Sequence, residues 1–554
     1  MASAAVLVVT GSLISVKDRS LLQAARKQLA NQRASSGAWW DLRIKLLAAP
    51  HVLALRRERR SRRFRRAPYR EAVERYFADE TFFDTPELTE VALATLLERE
   101  GLSFEVATIS ELFEDARRRE ELLARCGVVF LSTTLLRDLS ELEPVAALLK
   151  RPDNRVVAGG ALTGIVHAGL TSCPGVDVVA VGYGEHLVPA LAEWIRGGVA
   201  ELRAPAGGRV ERRGELALLF GGPHASRSLD ALPTPDWSLA ERIHGRSFGL
   251  VHYESVRGCP YRCSFCNYPF LFDDTVFRTK SASRIADEWA GYAARGVGYI
   301  SCLDSLFTMP RARLIELCEA LLTRGVEVRW LCYARADDLR DPEVCRLMRR
   351  AGCIQVQIGA ESGNQDQLDN MNKRCLVEDN VVAVRNCRQA GIASFVSLIL
   401  GFPGETPATI DDSLRFVAEA RPDFCYVSPF TARVAHLPVF SPENRERFGL
   451  STHGGDRASS PYWRHATMGC TDLAEHLARF QREMMVGRLS LDAGLFYQGM
   501  LRYRSAERAA LLDFQRDAAL RHRPLRATFD ALGRWAQRRL ERDVTRSLGP
   551  AATA

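Results

Sequence analysis

Residues 256–268 read Val256-Arg257-Gly258-Cys259-Pro260-Tyr261-Arg262-Cys263-Ser264-Phe265-Cys266-Asn267-Tyr268. Three thiols fall within eight residues, as Cys-x3-Cys-x2-Cys, directly behind a strand-like run over 250–256. Three thiolates on one short loop can wrap a compact iron–sulfur cube. A four-iron cube has four ligand positions, so three protein thiolates leave one iron free for an external chelator. Zinc competes for the same residues, but a structural zinc site takes four ligands, commonly as two pairs. No fourth Cys or His stands at suitable local spacing, and His252 falls inside the strand-like run. The chain has 14 cysteines, most of them single and in apolar contexts, such as Cys302, Cys332, Cys353 and Cys425. Those read as small core hydrophobes. In a reducing compartment the trio favours metal or redox chemistry over disulfides.

Downstream of the trio, strand-like runs recur over 299–303, 328–333, 354–359, 395–400 and 424–427. Helical patterns lie between them, near 283–294, 311–323, 342–351, 377–390 and 410–420. With 250–256 this makes six β/α units, which predicts a partial (β/α)6 barrel of the TIM-like kind over 249–430, with ligands at the C-terminal strand ends. Polar or glycine-rich pieces stand at those ends in order: Cys302-Leu303-Asp304, Tyr333-Ala334-Arg335, Gly359-Ala360-Glu361-Ser362-Gly363 and Leu400-Gly401-Phe402-Pro403-Gly404-Glu405. Each alone reads equally as a rim turn or a surface charge; their succession makes them candidate ligand residues.

Upstream, strands predicted over 6–9, 103–108, 128–132, 155–158 and 176–181 alternate with helices over 89–100, 111–124, 141–149 and 188–195. Thr85 is the expected N-cap of the first of these helices. The alternation predicts an α/β fold with a doubly wound, Rossmann-like parallel sheet over 1–200. A basic insertion near 15–84 is too long for a plain loop and is expected to carry helices. Residues 201–248, rich in Gly and Pro, read as a linker with a small hairpin. Residues 431–554 read as a helical C-terminal region.

Bulk properties agree with several globular units: 554 residues, 47% hydrophobic and 26% charged. No apolar run approaches the roughly 18 residues of a membrane span. The run over 6–9 suits a core strand better than a signal peptide, so the expected compartment is the cytoplasm. Net charge is +8, and eight arginines fall within residues 56–66. No aromatic stacking pattern or nucleic-acid motif accompanies them, which disfavours nucleic acid and favours a solvated helix face or contacts to an acidic cofactor or peptide.

The trio, with the aromatic Phe265 before its last cysteine, resembles the radical S-adenosylmethionine (SAM) superfamily. The resemblance implies a [4Fe–4S] cluster on Cys259, Cys263 and Cys266, its open iron chelated by the amino and carboxylate groups of S-adenosylmethionine. One electron, from an external donor such as flavodoxin or ferredoxin, then yields a 5′-deoxyadenosyl radical. It also implies cofactor contacts: Phe265 near the adenine, Asp304 near the amino group, Arg335 at the carboxylate, Glu361 and Ser362 at the ribose, and the Gly401 segment along the adenine. A doubly wound domain ahead of such a barrel resembles the cobalamin-binding subgroup. Ser132-Thr133-Thr134, Gly159-Gly160 and Gly182-Tyr183-Gly184-Glu185 are the matching strand-end pieces. The chain departs from many cobalamin proteins in lacking Asp-x-His-x-x-Gly. That leaves the lower cobalt face to water or to a side chain, such as an Arg or Tyr near 65–70.

The activity implied is methyl transfer to an unactivated carbon of a small molecule or peptide, with ring closure or rearrangement as the alternative. A methylthiotransferase needs three more cysteines in the first domain, where only Cys126 and Cys173 occur. A metal-binding module without catalysis is the remaining reading. Tyr426, Ser428, His436 and Tyr462 follow the last predicted strand and are candidates to face substrate.

Overall fold

The computed structural model describes residues 6–12, 37–78, 85–271, 275–433, 437–453 and 461–549. Strands β1 (Val6–Thr10) and β3 (Val128–Ser132) are buried at every position, as strands covered by helices on both faces must be. With β2 (Phe104–Thr108), β4 (Arg155–Gly159), β5 (Val178–Val181), β6 (Arg209–Arg213) and β7 (Leu216–Phe220) they form a seven-stranded sheet in the order β2-β1-β3-β4-β5-β7-β6. All pairings are parallel except β6 with β7. The β6–β7 hairpin comes from the stretch read as a linker with a small hairpin, but it belongs to the first sheet. β7 is apolar and buried throughout, so it completes the sheet beside β5, and the polar β6 covers that edge. Thr85 does not cap the following helix. Glu87 is the N-cap of Leu88–Arg99, and the Thr85 hydroxyl donates to the Leu250 carbonyl at 3.4 Å, tying the two sheets together.

The second sheet is parallel and runs in chain order through β8 (Leu250–Tyr253), β11 (Tyr299–Cys302), β12 (Arg329–Ala334), β13 (Cys353–Glu361), β14 (Ala393–Leu400) and β15 (Phe424–Pro429). A short antiparallel pair, β9 (Val256–Arg257) and β10 (Arg278–Thr279), brackets the cysteine loop. The region read as helical adds a seventh strand, β16 (Leu491–Asp492), beside Phe424 and Cys425 of β15. It also holds three short antiparallel strands between residues 451 and 469. Strands of two or three residues carry no periodic signal, which is why the pattern hides them.

The insertion helix Ala38–Arg59 packs on the C-terminal helices Arg508–Arg521 and Arg523–Leu548. Its arginine run is solvated: the eight arginines over 56–66 are exposed, whereas Glu58 and Phe64 between them are buried. Tyr69 is buried against Phe514 and donates to Asp517 at 2.8 Å. Tyr76, Phe496, Phe395 and Phe424 share one apolar cluster that fills the N-terminal mouth of the barrel. The 15–36 and 79–84 parts of the insertion, and His436, lie outside the described residues. No helix among the described residues is long and apolar enough to cross a membrane.

Candidate active site

The cysteine loop leaves β9 through Gly258, whose φ is +72°. A Cβ there would stand 2.3 Å from the Val276 carbonyl oxygen, so the turn requires glycine. The loop is held from the opposite side of the barrel. Ser264 N donates to the Met371 carbonyl at 2.9 Å, Asn372 Nδ2 to the Arg262 carbonyl at 2.7 Å, and Val439 N to the Ser264 carbonyl at 2.9 Å. Cys263 is buried and Cys259 and Cys266 are half-buried. Burial pushes all three thiols up, Cys266 to about 12. Lys373 and Arg335 oppose that rise at Cys259 and Cys263. Among the described residues no three His, Cys, Asp or Glu side chains already converge on a metal-sized point. What the loop offers is a donor set: three soft thiols and two neighbouring cations that offset thiolate charge. That set suits an iron–sulfur cluster with one open corner better than a four-ligand zinc site.

The rim residues expected at the strand ends are all present, in different states of commitment. Asp304 is fully buried, and its oxygens accept from Ser255 N at 2.6 Å, Ser255 Oγ at 2.7 Å and Val256 N at 2.7 Å. Burial raises it to about 6, with Arg313 opposing. Its place is to fix the start of the cysteine loop, not to face a ligand. Arg335 donates to Asp337 at 2.9 Å and to the Arg374 carbonyl at 2.8 Å, and lies 3.8 Å from the centre of the Tyr261 ring. Glu361 sits at a register shift in β13 with φ +64° and pairs with Lys373 at 3.1 Å. Left-handed backbone at a glutamate is strained and marks functional positions. Ser362 is fully buried and accepts from Asn364 N at 3.1 Å, which makes it a local cap. Gly401 has φ +85°, and a Cβ there would stand 2.8 Å from Trp463. Its N–H donates to the buried Glu405, whose carboxyl burial pushes up to about 8. Phe265 lies edge-on to Phe402, 6.5 Å between ring centres. The cysteine loop and the Gly401 segment therefore meet.

The C-terminal edge of the first sheet opens into a cleft of about 1430 Å³, counted to its open mouth. Ser132, Gly159, Gly160 and Gly182 form its lip, and its depth runs between the sheet and the helices Leu88–Arg99 and Gly184–Arg196. Gly160 has φ +112°, and a Cβ there would stand 2.7 Å from Thr134 Oγ1. Gly160 therefore packs on the Thr133–Thr134 turn at the cleft lip with no room for a side chain. Thr133 does not line the cleft; it is buried and donates to the Gly159 carbonyl at 3.0 Å. The far wall comes from the strand ends of the barrel and the β9–β10 pair, through Glu254, Arg257 and Leu303. Arg257 joins the two halves: it holds Glu185 with two bonds, at 2.8 and 2.9 Å, and Glu254 at 2.9 Å. Glu185 is therefore committed to an ion pair. No histidine lines the cleft among the described residues, and Tyr69 stands with the C-terminal helices. The size, the apolar depth and the glycine lip fit a large planar cofactor.

Residues 253–417 match the family model of the Radical SAM superfamily. They are a radical SAM domain. The anaerobic magnesium-protoporphyrin IX monomethyl ester cyclase of Cereibacter sphaeroides is 29% identical over 289 residues, which are 50% of this chain and 46% of that one. The cobalamin-dependent radical SAM methyltransferase TokK of Streptomyces tokunonensis is 29% identical over 296 residues, 50% of this chain and 42% of that one. The chain thus spans less than half the length of either relative. The radical SAM methyltransferase TsrM of Kitasatospora setae superposes with a TM-score of 0.55 at 22% identity, covering 68% of this chain and 77% of TsrM. That likeness shows a shared fold.

Lys373 and Arg257 escape sequence reasoning about the radical SAM domain. Lys373 sits in a polar loop with Asn372 and Arg374 and looks solvated, yet it is buried beside Glu361. Arg257 looks like any basic residue at a strand end. Of the substrate candidates, Tyr426 is 44% exposed and Ser428 partly so, whereas Tyr462 is buried and donates to Asp543 at 2.6 Å.

Proposed function

We propose that the chain is a cobalamin-dependent radical SAM enzyme, a methyltransferase acting on an unactivated carbon of a small molecule or peptide. The observation that carries this is the shared wall: the glycine-lipped cleft of the first sheet and the cysteine loop meet through Arg257, two residues from Cys259. Bound there, a [4Fe–4S] cluster with S-adenosylmethionine would supply radical chemistry and cobalamin would supply methyl transfer. Cys259, Cys263 and Cys266 would hold the cluster. Glu361, paired with Lys373 at 3.1 Å, presents a carboxylate suited to hydroxyl groups such as those of a ribose. Gly401 and Phe265 offer backbone and an aromatic edge to a flat base. Ser132, Gly160 and Gly182 bring backbone against the large cofactor. Arg335 holds a cation at the thiol loop. An external one-electron donor is required. The methyltransferases among the relatives support this reading, and the cyclase supports ring closure as the second one.

The test is anaerobic reconstitution with iron, sulfide and hydroxocobalamin, followed by reduction with S-adenosylmethionine. One cobalt per chain, with iron that Cys263→Ala cannot hold, supports the cofactor assignment. S-adenosylhomocysteine beside 5′-deoxyadenosine supports methyl transfer, and deoxyadenosine alone supports closure or rearrangement. A protein that takes up only zinc sinks the proposal.

A further inference from the structure

A second cavity lies at the other end of the barrel, about 1040 Å³ to its mouth. Five of its eleven lining residues are arginines, Arg75, Arg329, Arg349, Arg502 and Arg504, in a chain with 75 Lys and Arg among 554 residues. They come from separate parts of the sequence. Arg75 lies on a short insertion helix, Arg70–Tyr76, Arg329 opens β12, Arg349 is in the last turn of Pro342–Arg350, and Arg502 ends and Arg504 follows the 3-10 turn Tyr497–Arg502 at the barrel mouth. Arg75 pairs with Glu507. Arg329 donates to the Tyr299 hydroxyl at 2.8 Å and Arg349 to the Cys353 carbonyl at 3.3 Å. Those acceptors are neutral: they orient the guanidiniums without cancelling their charge. Like charges gathered on a concave wall repel one another and focus a positive field into the cavity. Planar guanidiniums match phosphate oxygens two bonds at a time.

We propose that this basal cavity binds a phosphate-bearing anion, a polyphosphate or phosphate ester, at a site separated from the cysteine loop by the length of the barrel. The ligand ties the barrel rim to the C-terminal plug. The test is titration of the full-length protein with pyrophosphate, read by calorimetry and by the thermal midpoint, with no cluster loaded. Saturable binding of one pyrophosphate with a raised midpoint is expected. Arg329→Gln with Arg349→Gln weakens it about tenfold or more. The exposed Arg504→Gln, which disturbs no packing, weakens it by a smaller factor. Arg56→Gln with Arg57→Gln, in the solvated run, leaves it unchanged. No saturable binding to the wild type, or equal losses in the solvated-run control, overturns the proposal.

Discussion

At the C-terminal edge of the first sheet the lip is made of Ser132, Gly159, Gly160 and Gly182, residues with almost no side chain. At the same edge of the second sheet stand Asp304, Arg335, Glu361 and Lys373, all buried and all charged types. Both edges belong to parallel α/β sheets, where ligands sit at the strand ends. The difference lies in what each edge must do. A large flat cofactor is recognised by shape, so the chain withdraws its side chains and advances its backbone. Buried charges, by contrast, need partners within the protein. Hence Asp304 is spent on the cysteine loop, Arg335 on Asp337, and Glu361 on Lys373.

The division can be broken at either edge. Replacing Cys259, Cys263 and Cys266 together by Ala should abolish iron uptake, measured as bound iron and absorbance, while cobalamin uptake persists. If cobalamin is lost as well, the two edges are not separable. Arg257→Ala should cost about 3 kcal/mol in a urea melt, because the largely buried Glu185 loses its cation, and the half-buried Glu254 loses a second contact. It should lower loading at both edges; a loss at one edge only would mean that the ion pair does not couple them. Gly160→Ala forces a Cβ towards Thr134 in a conformation that glycine alone adopts easily. It should cost about 1–3 kcal/mol and weaken cobalamin binding, with iron content unchanged.

The smallest expected effect is a pH slope. Burial raises Glu405 from 4.5 to about 8, so the native state holds a proton that the unfolded chain gives up. Its contribution is full below pH 4.5 and is lost as pH rises towards 8, at about 1.4 kcal/mol per pH unit at most. Glu405→Gln should flatten that slope in melts over this window. An unchanged slope would show that Glu405 is charged in the folded protein.

Much of the architecture is legible before folding. Strands β1 to β5 and six of the seven barrel strands announce themselves by short apolar runs between helical patterns, and Cys259, Cys263 and Cys266 by their spacing. β16 does not, and the hairpin β6–β7 reads only as part of a linker, not as the edge of the first sheet. β16 is two residues long, and the apolar β7 is masked by the glycines and prolines around it. Asp304 was legible as a strand-end carboxylate, but the atoms that consume it, on Ser255 and Val256, lie 49 and 48 residues away.

The cysteine spacing, the β/α alternation and the glycines at strand ends are properties of a few adjacent residues, and local geometry alone gives them meaning. The pairing of charges is a property of the folded chain. Glu185 finds Arg257 across 72 residues, and Arg433 finds Asp138 across 295. A charge in the sequence looks the same whether it ends in water or in a buried pair. Only packing removes the water, and only then does the partner decide whether the charge can stay.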